Sequence, residues 1–293
     1  MMTKPLSWER WRKVYLNKKN KKRASLERWG LRNLHSVEAL DHIVSEVKTT
    51  YLNNNPYIKV SANSVWVDGT PQAKFTVSKY ENVKNSSTSY GNTNQVSLKA
   101  RKDEVLNCEL ADLCLSSMNL TAKMVLKSPC RFITGQVLRK NNLLPDGPST
   151  EKERKLLESV NREELLTLYP GTKASGNKIG TYKLGGYQPG LADCAKYLMM
   201  PKHEAWNYKY PEDTGPYVIG WPENSSSKSL GVTKNYLDAV IDEMLKFQTM
   251  GREVKFKNGD IDRTCEWSKM IDDLLTSYHG VTMKGYGSSK AFL

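Results

Sequence analysis

The chain has 293 residues, of which 39% are hydrophobic and 26% are charged. This composition indicates a folded protein and excludes a wholly disordered chain. No run of about 18 apolar residues occurs, so no membrane-spanning helix is predicted, and the first residues lack the apolar centre of a secretory signal. We therefore expect a protein with no membrane partner, in the cytoplasm or nucleus of the producing host cell and not secreted through a signal peptide.

The net charge of +13 lies mostly at the N-terminus. Residues 1–33 contain eleven Lys or Arg and two Glu, which account for nine of the thirteen charges. The remaining 260 residues carry only +4 and have an ordinary mixed-charge composition. The basic character therefore belongs to an N-terminal arm and not to the chain as a whole.

Aromatic side chains recur at helical spacing in this arm, so short amphipathic helices are predicted within residues 1–35. Lys and Arg clusters neutralise phosphates, and interleaved tryptophans stack on bases, which favours nucleic acid as a partner. The same residues equally favour docking on a neighbouring copy of the chain. The candidate assembly-arm residues are Trp8, Arg10, Trp11, Tyr15, Lys18, Lys19, Lys21, Lys22, Arg23 and Trp29.

One helix and a β-hairpin are predicted after the arm. Apolar residues from Val37 to Tyr51 follow three- and four-residue steps, which predicts a helix capped by Ser36. Alternating apolar and polar residues predict strands over 57–80, with a hairpin that joins 64–67 to 73–77.

The middle of the chain is predicted to be helical. Spaced leucines predict a long helix over 103–126, and a capping box at 150–153 predicts a second helix that runs to Leu168. A short third helix is predicted over 191–200. Six glycines interleaved with lysines in 171–190 indicate a hinge or a long functional loop.

Two further helices are predicted near the C-terminus, one after Thr233 and one over 267–278, with a tight turn at Asn258–Gly259 between them. Residues 206–222 are dense in aromatics and proline. Because few basic residues surround them, this stretch favours protein contact over base stacking. The candidate contact aromatics are Trp206, Tyr208, Tyr210, Tyr217 and Trp221.

These elements predict a mainly α fold with a small β-hairpin region (α+β), in which a helical body carries an extended basic N-terminal arm. The arm comprises residues 1–35 and the body comprises residues 36–293. The Gly-rich segment 171–190 is the candidate boundary if the body has two lobes.

The chain has five cysteines, an odd number without paired C-x-x-C spacing, which argues against a zinc module. A reducing compartment favours buried thiols. The alternative is a disulfide between neighbouring molecules once the protein leaves the cell. The candidate disulfide cysteines are Cys108, Cys114, Cys130, Cys194 and Cys265.

No catalytic, cofactor or metal signature is found. Residues 171–178 have glycines at the P-loop separation, but Asn177 breaks the Gly-Lys-Ser/Thr ending and no strand precedes the segment. The four histidines are scattered, and the Ser-centred elbow of hydrolases is missing. We therefore expect neither an enzyme nor a bound cofactor.

In overall character, with predicted helices, five cysteines, fifteen tyrosines and no catalytic motif, the chain resembles the matrix proteins of viral occlusion bodies, the polyhedrins, of the nudivirus type. The resemblance carries over no residue roles. It implies a structural protein that crystallises in infected insect cells with itself as partner, embeds virions and releases them in an alkaline gut. Tyrosines such as Tyr208, Tyr210 and Tyr217 would gain charge near about pH 10 and weaken such contacts. The alternative is a nucleocapsid-type protein that coats single-stranded nucleic acid through the arm.

Overall fold

The structure, a computed structural model, describes less than the whole chain. The described ranges are 71–83, 98–110, 113–114, 126–128, 131–136, 148–186, 188–200, 218–224, 230–234 and 251–278, together with residues 45, 48, 49, 53, 56 and 227. The arm 1–35, most of the predicted helix 36–51, residues 64–67 and the segment 235–250 lie outside these ranges. No helix within the described residues is long and apolar enough to cross a membrane.

Strands dominate the described residues, so the prediction of a mainly helical body is wrong. In the part of the chain that the structure describes, two helices, α1 (Pro148–Ser159) and α2 (Glu266–Tyr278), accompany thirteen strands. The strands are β1 (Gln72–Val83), β2 (Leu98–Glu109), β3 (Leu113–Cys114), β4 (Leu126–Ser128), β5 (Arg131–Gln136), β6 (Leu165–Tyr169), β7 (Gly180–Lys183), β8 (Ala195–Met200), β9 (Val218–Pro222), β10 (Leu230–Lys234), β11 (Arg252–Val254), β12 (Phe256–Lys257) and β13 (Asp260–Ile261).

The first sheet is antiparallel and has the strand order β2-β1-β6-β7. β1 and β2 pair over their full twelve residues, from Gln72 opposite Glu109 to Val83 opposite Leu98. β6 pairs with the other edge of β1 only at Gln72–Lys74, the first three residues of β1. The neighbours of β1 in the structure are thus β2 and β6, whereas the predicted hairpin partner 64–67 is not described.

The second sheet has the order β10-β9-β8-β5-β3. Its strands pair antiparallel except β5 and β8, which run parallel. Two small ribbons, β11 with β4 and β12 with β13, complete the described strands. Within β8 both Tyr197 and its neighbour Leu198 are fully buried, so side chains on both faces of this strand are covered.

The inner face of the first sheet packs on both helices. Phe75 and Val77 of β1, Leu156 and Leu157 of α1, and Tyr182 of β7 are all buried in one core. The core also includes residues of the second sheet, among them Ala195, Tyr197 and Leu230, and the buried face of α2, namely Trp267, Met270 and Ile271. The opposite face of the first sheet therefore lies away from the two helices.

Three predicted helices are replaced by strands wholly or in part. The predicted helix 103–126 contains most of β2, all of β3 and the first residue of β4. The predicted helix 191–200 contains β8. The predicted helix that starts at 150 does not reach Leu168, because α1 ends at Ser159 and Leu168 belongs to β6. Leu106 and Leu110 are four apart, as on a helical stripe, but they also alternate with polar residues as on a strand. Pairing with β1 decides between the two periods, and a single sequence does not contain that information.

Two local predictions are confirmed. α2 covers the predicted helix 267–278 and buries the apolar face that its spacing indicates. Asn258 and Gly259 both have positive φ, 55° and 92°, and form the two-residue turn between β12 and β13. Asn-Gly suits such a turn because both residues tolerate the left-handed conformation.

Candidate functional site

The outer face of the first sheet exposes two large apolar side chains. Val105 of β2 is 59% exposed and Leu165 of β6 is 54% exposed, and no other large hydrophobic residue of the described ranges is exposed to this degree. Single exposed apolar residues are common on protein surfaces and need no explanation. Two on one sheet face, opposite the face that packs on the helices, make this face a candidate contact surface.

Strand register explains why both side chains point outward. Val105 lies opposite Thr76, and Thr167 lies opposite Lys74. Side chains two residues apart share a face, so Lys74, Thr76, Val105, Thr167 and Leu165 all belong to the outer face. Thr167 is buried on this face, whereas Val105 and Leu165 are exposed. The intervening residues of β1, Ala73, Phe75 and Val77, are buried on the inner face.

A charged network borders the apolar pair. Arg101 donates from Nε to Asp103 at 2.9 Å and from Nη2 to Glu164 at 2.7 Å. Ser78 donates to the same Asp103 carboxylate at 2.7 Å. These two hydrogen bonds, first that from Arg101, lower the pKa of Asp103. The network keeps Asp103 ionised and ties β2 to the residue just before β6.

We name these residues the outer-face patch: Val105 and Leu165 at the centre, with Arg101, Asp103 and Glu164 at the rim. An apolar centre with a polar rim is the usual anatomy of a protein–protein contact. Sequence reasoning missed this patch, because the predicted helices 103–126 and 150–168 placed Val105 and Leu165 in other surroundings. The signal that was present is alternation: Val105 and Asn107 are interleaved with Leu106 and Cys108.

The predicted contact aromatics are described at one position only. Trp221 is half-buried in β9, its ring 5.5 Å from that of Tyr197, with the Lys196 ammonium 4.9 Å from its centre. Trp221 thus packs largely within its own fold. Tyr197 in turn donates a short hydrogen bond of 2.5 Å to Glu158, which also pairs with Arg154. Trp206, Tyr208, Tyr210 and Tyr217 lie outside the described residues, as do all the arm residues from Trp8 to Trp29.

The structure separates the candidate disulfide cysteines by burial. Cys108 of β2 and Cys194 are buried, and burial of Cys194, reinforced by the charge of Asp193, raises the pKa of its thiol. Cys265 is half-buried just before α2. Burial raises the pKa of its thiol, but hydrogen bonds with Ser268 and Trp267 lower it by more, so the net shift is downward.

The other two cysteines are less fully described. Cys114 is a strand residue in β3, in a different sheet from Cys108, and Cys130 lies outside the described residues. Among the described residues, no disulfide involves Cys108, Cys194 or Cys265.

The Gly-rich segment 171–190 has a definite place in the first sheet. Its residues 180–183 form β7, and residues 170–179 form the loop that joins β6 to β7. The P-loop-like residues 171–178 lie in this loop. The prediction that no strand precedes them is wrong, because β6 does, but a strand and not a helix follows the loop.

No group of three or more His, Cys, Asp or Glu side chains in the described ranges is arranged to hold a metal ion. Comparison of the chain with protein-family models, with curated proteins and with solved structures found no match.

Proposed function

We propose that this chain is a self-assembling structural protein that forms a dense lattice of the occlusion-body, polyhedrin type. The outer-face patch is the observation that carries this proposal, because it presents an apolar centre and a charged rim on a face that the two helices do not cover. In the proposal the partner is another copy of the chain, and assembly takes place in the cytoplasm or nucleus of the producing cell. Virions are candidate guests of the lattice, and no enzymatic step is assigned.

We propose three further contacts between copies of the chain from sequence features. The basic arm 1–35 would dock on a neighbouring copy, and the aromatic stretch 206–222 would add apolar contact area. An intermolecular disulfide would best use Cys265 among the three cysteines whose side chains are described, because Cys108 and Cys194 are buried. A lattice needs several distinct contacts on each molecule, and a single self-complementary patch closes a dimer.

The contribution of the patch can be estimated from its exposure. Full burial of a Val or Leu side chain is worth about 1.5–3 kcal/mol. Val105 and Leu165 are already nearly half-buried, so each would add about 1 kcal/mol in a contact. A twofold contact uses both residues twice, which gives roughly 4 kcal/mol, or on the order of a thousandfold in the dissociation constant.

Sedimentation velocity of the full chain over a range of concentrations tests the proposal. The unmodified chain should associate, and the double variant Val105→Lys, Leu165→Lys should remain monomeric at concentrations where the unmodified chain does not. Thr172→Lys combined with Ser175→Lys, at two exposed positions of the loop between β6 and β7, is the matched control for two added charges and should associate like the unmodified chain. Electron microscopy of the same samples should show particles or crystals formed without other components.

Two results would contradict the proposal. One is an unmodified chain that stays monomeric at every concentration. The other is a double variant that assembles as readily as the unmodified chain while circular dichroism shows that it is folded.

The second candidate function is the coating of single-stranded nucleic acid, and one observation favours it. Residues 165–192, which form the hairpin β6–β7 and the turn after it, contain no Asp or Glu, and Lys173, Lys178 and Lys183 are exposed. This hairpin would add positive charge to that of the arm.

Salt dependence distinguishes the two functions. A coat protein would copurify with nucleic acid, and its affinity would fall by about 0.7 in log K per phosphate contact for each tenfold rise in salt. Lys173→Glu combined with Lys178→Glu should then reduce this slope by roughly 1.4. Purified protein with the absorbance ratio of pure protein, and no binding to single strands at low salt, would eliminate this candidate.

A further inference from the structure

We draw no further inference here: the strongest candidate, the half-buried Cys265 thiol directly before α2, is a single cysteine at a helix N-terminus, and no second observation in the part of the chain that the structure describes points to a ligand there.

Discussion

Gly190 is the position at which a single added methyl group should destabilise this fold most clearly. Its φ is +78°, and a Cβ there would lie 2.6 Å from the carbonyl oxygens of Leu157 and Glu158 at the end of α1. The same backbone donates two hydrogen bonds to this helix end, from Gly190 to Val160 at 2.9 Å and from Leu191 to Leu157 at 2.6 Å. An alanine at 190 therefore meets backbone atoms that cannot rotate away.

The cost of Gly190→Ala has two parts. A side chain in the left-handed region costs roughly 1–2 kcal/mol. Relief of the contact requires the turn to move away from α1, which weakens two hydrogen bonds at about 1 kcal/mol each. We expect a total loss of about 3–4 kcal/mol in the free energy of unfolding, a large fraction of the 5–15 kcal/mol that is typical of a native protein.

Gly176→Ala separates the two parts. Gly176 has a similar φ of +84°, but a Cβ there would meet nothing within 4 Å. This variant should lose only about 1 kcal/mol. Urea unfolding followed by circular dichroism measures both variants, with the slope against urea as a check that the unfolding transition is unchanged. Equal losses for the two variants would refute the close approach of this turn to the helix end.

Three further outcomes are expected. Burial and then its neighbouring carboxylate raise the pKa of Tyr197 above its ordinary value, so its contribution to stability is complete below about pH 10 and falls above it by about 1.4 kcal/mol per pH unit. Tyr197→Phe should lessen this alkaline loss of stability in urea unfolding at about pH 8 and about pH 11, and an unaltered pH slope would contradict the assignment. Iodoacetamide should label Cys265 in the native protein well before Cys194, whose thiol is buried with a raised pKa, and peptide mass spectrometry measures both rates. Comparable labelling rates would show that Cys194 is not buried. Leu156→Ala, at a fully buried position of α1, should lower the free energy of unfolding by about 2–5 kcal/mol. Leu165→Ala, on the exposed face, should change it by less than about 0.5 kcal/mol. Similar losses for the two variants would mean that both side chains lie in the core.

Local signals in the sequence predicted the elements whose conformation depends on local interactions. The Asn258–Gly259 turn follows from the left-handed backbone that these two residues accept. The final helix follows from an apolar stripe repeated over three turns, which buries Trp267, Met270 and Ile271. β1 follows from strict alternation, with Phe75 and Val77 on the buried face.

The strands that sequence reasoning mistook for helices are those whose side chains are covered on both faces or whose leucines fit two periods. β8 buries the consecutive residues Tyr197 and Leu198, and most of β6 is buried in the same way. A strand covered on both faces has no polar–apolar alternation, so its pattern cannot be told from that of a short buried helix. Leu106 in β2 and Leu110 directly after it satisfy both the helical and the strand period.

The position of the charge, the turn that joins β12 to β13 and the helix near the C-terminus all follow from residues that are close together in the chain. The pairing of β2 and β6 with β1 does not, and it turns Val105 and Leu165 outward onto one face. The fold also brings Arg162 and Arg252 against the turn after β7 and Trp267 beside Arg252, although these residues are far apart in the chain. The physical reason is the same in both cases: hydrogen bonds between strands and contacts in a core join distant residues, and a periodic pattern records only the neighbours along the chain.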